Sequence, residues 1–193
     1  MKIKRMLVAL TIGMVLAQIL LILMSWLLSA MMVDGVRSLL SSEGIRWFFG
    51  NFATMLASPL LVWLLLLSMA GGVFWRSGLL STPRTYSEKT AMRTAVFTLL
   101  LYLAVVAALT VVPHAVLLSA TGRLLSSPFS RAVIPIIAFG VLLVSVVYGR
   151  MSGRFTSATA VFDALSAGIA RCAPLFIVYV VLMQLYASVL FVF

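Results

Sequence analysis

Acidic residues are nearly absent from this sequence: Asp34, Glu43, Glu88 and Asp163 stand against 14 lysines and arginines. A single cysteine, Cys172, excludes an intrachain disulfide, and with one histidine, His114, no Cys/His cluster can hold a metal. Charge of either sign is scarce, 9% of 193 residues, while 64% are hydrophobic and mean hydropathy is +1.22. No water-soluble domain buries that apolar fraction, so the chain reads as an integral membrane protein. The formal charge of +10 would suit nucleic acid, but the basic residues sit at the ends of apolar runs and form no patch.

The apolar runs are continuous, not alternating, which predicts helical spans of roughly 20 residues and excludes a barrel. Five are expected: 6–33, 59–75, 94–112, 132–148 and 170–193. Pro59 opens the second in a first turn, where its missing N–H has no cost, and Pro113 and Gly149 close the third and fourth. The fold class expected is all-α, a polytopic helical membrane protein of about five transmembrane helices in a single domain, 1–193. Residues 77–93 read as a cytoplasmic loop and the place for any boundary.

The first run, 6–33, superficially resembles a secretory signal, and Ser25, Ser29 and Ala30 offer small residues for cleavage. It is about twice the length of a signal core of roughly 7–15 residues, so it reads as a retained span. Lysines and arginines divide ten to four between the two faces of this topology. The excess puts the N-terminus in the cytoplasm and the C-terminus outside.

Between the first two spans lies "SLLSSEGIRWFFGNF". Ser41 or Ser42 suits an N-cap and Glu43 the first turn, where the helix dipole favours an acid. Ile45, Phe48, Phe49, Phe52 and Leu56 then recur at helical spacing as one apolar stripe, with Arg46, Gly50 and Asn51 mostly off it. This predicts an interfacial amphipathic helix over 43–56, with Trp47 at the headgroup level.

Polar residues at membrane depth are the default places to look for function. Thr11, Gln18, Ser25, Ser68, Gln184 and Ser188 could line a solute or ion path, or simply hydrogen-bond between helices, which is the reading favoured here. Gly71 and Gly72 in "MAGG" could mark a broken transporter helix or a close helix crossing. His114 could relay protons but reads as solvated, and Asp163 as a charge on the wet face of a short surface helix. Arg171 beside Cys172 could activate the thiol, though a buried structural cysteine is the default. No nucleophile, metal or phosphate-loop pattern is present, so no catalytic, cofactor-binding or metal-binding residue is assigned and the protein is not expected to be an enzyme.

Two blocks carry a family resemblance. Leu39–Leu80, with Leu39, Leu40, Ser41, Glu43, Gly44, Ile45 and Trp47, then Gly72, Arg76, Gly78, Leu79 and Leu80, resembles the "LLS.EGL.W" and "R.GLL" phrases of the AbgT family of p-aminobenzoyl-glutamate transporters. Ser127–Gly149, with Ser127, Pro128, Phe129, Arg131, Pro135, Ile137, Ser145, Tyr148 and Gly149, resembles that family's "SPF.KGIVPLI...VVS.AYG" stretch.

The resemblance implies a multi-pass transporter of the bacterial cytoplasmic (inner) membrane, with p-aminobenzoyl-glutamate or a related small solute as cargo. It also implies a shortened member, because the family's re-entrant hairpins and C-terminal half have no counterpart here. Substrate-binding residues are therefore unknown. A five-span chain encloses a solute poorly, so transport is expected only as a homo-oligomer or with a partner membrane subunit. The alternative is a membrane scaffold or accessory subunit that does not transport, motivated by the lack of any acid inside a predicted span.

Overall fold

The computed structural model describes residues 2–82, 85–111 and 128–193. Its described residues form helices and no strand: α1 (Lys2–Ala30), α2 (Ser42–Leu56), α3 (Pro59–Ser77), α4 (Tyr86–Val111), α5 (Pro128–Met151) and α6 (Ala158–Val192). Five of the six are long and apolar enough to cross a membrane, α2 being the exception.

Several helices run further than hydropathy alone implies, for local reasons. α4 begins at Tyr86, inside the stretch expected as loop, because Thr85-x-x-Glu88 forms half a capping box. The Thr85 N–H donates to Glu88 Oε2 at 3.2 Å, and the Lys89 N–H donates to the Thr85 carbonyl. α6 reaches back to Ala158, taking in the segment around Asp163 that was expected as a separate surface helix. Ser157 caps it, its hydroxyl accepting from the Ala160 N–H at 3.2 Å. Nothing between Asp163 and Arg171 stops a helix except Gly168, which weakens one by only about 1 kcal/mol. α3 and α5 end where Gly78 (φ +70°) and Gly153 (φ +76°) adopt the left-handed conformation that a C-terminal turn needs.

The chain forms two compact units, Met1–Val62 with Cys172–Phe193, and Trp63–Arg171. In the first, α1 and the end of α6 run parallel. Leu7 and Thr11 share a groove with Pro174 and Ile177, Gln18 meets Ser188, and Leu21 and Ile22 pack on a cluster of Leu39, Phe191 and Val192.

In the same unit α2 descends along α6 in the opposite direction. Trp47 stacks on Phe191 with ring centroids 4.2 Å apart, whereas the Leu56 carbonyl is held by Tyr179, twelve residues earlier in α6. At 1.5 Å per residue those two contacts lie about 18 Å apart along α6. Within the apolar stripe of α2, Ile45, Phe49 and Phe52 are exposed, Phe49 to 76%, while Phe48 and Leu56 are half-buried.

In the second unit α4 and α5 are antiparallel. Ala91 and Ala95 pack with Val144 and Tyr148 at one end, and the Tyr102 hydroxyl donates to the Ile136 carbonyl at 2.7 Å further along. α3 and the first half of α6 cross at Gly72 and Gly168, with Val73, Phe155 and Ala164 as the adjoining core.

Candidate functional site

The α1–α6 pair of the first unit brings Gln18, Gln184 and Ser188 together. Gln18 Nε2 donates to Ser188 Oγ at 2.8 Å and Gln184 Nε2 to the same oxygen at 3.4 Å, and Ser188 is fully buried. Both glutamine Oε1 atoms are buried without a hydrogen-bond partner among the described residues. Gln18 also lines an apolar cavity with Ile22, Leu39, Leu40, Ile45, Phe48 and Phe49. Neutral amide and hydroxyl groups of this kind can orient a polar solute by hydrogen bonding, but they cannot carry a proton.

A second polar contact lies where α2 passes into α3. Tyr179 Oη donates to the Leu56 carbonyl at 2.8 Å and lies 2.7 Å from Ser58 Oγ. A phenol has one proton, already committed to Leu56, so Ser58 is the donor to Tyr179. The Leu56 carbonyl is among those a helix end leaves without an intrahelical partner, and it is satisfied here by the Tyr179 hydroxyl together with the Ser58 N–H at 2.9 Å. This role of Tyr179 left no signal in sequence, since its partners lie more than 120 residues away.

The remaining candidates scatter. Thr11 and Ser68 donate to carbonyls of their own helices, those of Leu7 and Leu65, both at 2.8 Å. Ser25 does the same toward Ile22 and also accepts from the Leu39 N–H at 3.2 Å, tying the α1–α2 connection to α1. Gly71 and Gly72 do not break α3. A Cβ on Gly72 would run into the backbone of Ala164 and Gly168, so this glycine serves a close helix crossing, while Gly71 faces open space.

Asp163 is exposed, and Cys172 is a half-buried free thiol. The Arg171 guanidinium lies over the Trp75 ring, 4.9 Å from its centroid. His114 lies outside the described residues. Among the described residues no group of three or more His, Cys, Asp or Glu side chains could hold a metal.

Against known protein families, a model of the AbgT putative transporter family matches residues 83–193. The chain belongs to the AbgT family. The match takes in the Ser127–Gly149 block and begins beyond Leu39–Leu80, so only the second of the two resembling blocks lies within it. No curated protein and no solved structure matches this AbgT-family chain. Membership and the five long apolar helices together make it a transporter-like, multi-pass membrane protein.

Proposed function

We propose that this protein takes part in moving p-aminobenzoyl-glutamate, or a related small aromatic amide, across a bacterial cytoplasmic membrane. Family membership over 83–193 is the observation that carries the reading. The proposed orientation has the N-terminus in the cytoplasm and the C-terminus in the periplasm, in line with the ten-to-four division of basic residues. The parallel course of α1 and the end of α6 supports termini on opposite sides, since two parallel spans need an odd number of crossings between them. Trp47, at the Phe191 end of α6, marks the outer headgroup level in this arrangement.

Transport is proposed to need a homo-oligomer or a partner subunit. α1 supports this: one face packs along the end of α6, while the apolar residues of its other faces, among them Ile12, Leu16, Ile19, Leu20 and Leu23, are exposed and open to lipid or to another chain. Radiolabelled p-aminobenzoyl-glutamate flux into proteoliposomes holding only this protein tests the reading. Flux no greater than in empty vesicles, at protein densities that allow association, refutes transport by this chain alone or as a homo-oligomer, and the same result with a co-purifying membrane partner added refutes the reading.

The second reading, a scaffold or accessory subunit, draws on the acids. Asp34, Glu43 and Asp163 are exposed, and Glu88 sits in the first turn of α4, paired with Arg154 at 3.7 Å. None lies where ion or proton coupling usually places one. Co-purification in mild detergent separates the two, because a scaffold must retain a partner.

A further inference from the structure

Most hydroxyls inside these helices are satisfied locally. Ser68 and Ser77 donate to carbonyls three residues back, Thr98 to one four residues back, and Tyr102 and Tyr179 to carbonyls of neighbouring segments. Ser145 and Tyr148 do neither. Both residues are fully buried, and neither hydroxyl has a hydrogen-bond partner among the described residues. Three positions apart, they share one face of α5, and the Tyr148 ring packs with Ala91 and Ala95 of α4. A helical serine ordinarily bonds a carbonyl in its own preceding turn, and Ser145 leaves that option unused.

We propose that the Ser145 and Tyr148 hydroxyls are a paired donor site for a carboxylate, filled when α4 and α5 part. The inference rests on the reading of the protein as a carrier of an acidic aromatic solute. A buried hydroxyl without a partner destabilises the protein, and two within one helical turn compound the loss. Unpaired donors in a membrane span therefore point to a partner that arrives from outside the chain.

An ionised acceptor suits them best, because hydrogen bonds to a carboxylate are about twice as strong as neutral ones.

The test uses Ser145→Ala, Tyr148→Phe and the double variant in the full chain, with binding of p-aminobenzoyl-glutamate, benzoate and uncharged benzamide measured by calorimetry in detergent, alongside thermal unfolding. Removing an unpaired hydroxyl without changing volume should leave the unfolding temperature unchanged or higher. The same change should weaken carboxylate binding by about tenfold or more per hydroxyl, with benzamide binding poorly throughout. Benzoate binding without p-aminobenzoyl-glutamate binding would reject the proposed solute and leave the hydroxyl pair standing. Wild type binding neither carboxylate, a double variant that binds benzoate as wild type does, or a double variant that unfolds at lower temperature would each overturn the pair.

Discussion

Adjacent glycines in α3 should respond to the same substitution with opposite sign. A methyl group built on Gly72 would lie 2.5 Å from Gly168 Cα and 2.6 Å from its nitrogen, and would also strike the Ala164 carbonyl oxygen. All three are backbone atoms of α6 and cannot rotate away, so Gly72→Ala must push the helices apart. Forced overpacking of that kind costs about 1–3 kcal/mol. For a chain of this size roughly 2–4 °C of unfolding temperature follows each kcal/mol, so a fall of about 3–10 °C is expected.

Gly71 has nothing within 4 Å of the corresponding position, so Gly71→Ala adds helix propensity of about 0.5–1 kcal/mol and no clash. Its unfolding temperature should hold or rise by a few degrees. Gly168→Ala meets Gly72 Cα at 2.8 Å and its nitrogen at 2.9 Å, and should behave like Gly72→Ala. Once the helices have moved apart for one methyl group the second meets less resistance, so the double variant should fall short of the sum. Thermal unfolding of purified protein in one detergent, followed by tryptophan fluorescence, reads all four. Equal effects at Gly71 and Gly72, or strict additivity of Gly72→Ala with Gly168→Ala, would refute the crossing.

Other substitutions probe the first unit by the same assay. Tyr179→Phe removes the hydrogen bonds to the Ser58 hydroxyl and to the Leu56 carbonyl, which keeps the Ser58 N–H at 2.9 Å, and should cost about 1–2 kcal/mol; a neutral result would mean these two contacts do not hold the α2–α3 junction. Gln18→Leu loses one interhelical hydrogen bond, worth about 0.6–2 kcal/mol, but also removes a buried, unpaired amide oxygen, so the change should stay within about 1 kcal/mol; collapse of the fold would make this amide a structural keystone. Gly44→Ala would bring a methyl group to 2.5 Å from the Ser38 carbonyl oxygen and 2.6 Å from that of Leu39, and should lose about 1–3 kcal/mol; hydrogen exchange in the first turn of α2 should quicken with it.

Helical class and five long apolar helices were legible from composition and run length, because lipid imposes both. The start of α2 was legible too: Ser41 caps it, accepting from the Gly44 N–H at 3.0 Å, and Glu43 sits in the first turn. The capping box at Thr85 and Glu88 was equally readable, but a hydropathy criterion passes over it because the first turns of α4 are polar.

The slope of α2 could not be read, since periodicity tells which residues share a face and not which way the helix axis points. Nor could the partners of Gln18, Ser58 or Tyr179, which depend on segments more than 100 residues apart. Trp47 shows the limit most clearly. Its residue type speaks only to an expected depth, whereas its ring contact is set by Phe191, and nothing in "EGIRWFF" announces it.

The two units meet one physical problem with different means. Lipid is as apolar as a leucine side chain, so burying leucine against leucine gives helices no reason to leave the bilayer for each other. Association has to come from hydrogen bonds between segments or from backbones close enough to gain dispersion. The first unit uses hydrogen bonds: Gln18 with Ser188, Ser58 with Tyr179 and Ser25 with Leu39 each join stretches distant in sequence. The second uses close approach, at Gly72 with Gly168 and again where a Cβ on Gly140 would come within 2.7 Å of the Tyr102 ring. In that unit paired polar groups mostly serve their own helix, which is why two that serve nothing, Ser145 and Tyr148, stand out. If packing alone had selected residues at those positions, alanine and phenylalanine would fill the same space with no unpaired hydroxyl, so their presence calls for a role beyond holding α4 to α5.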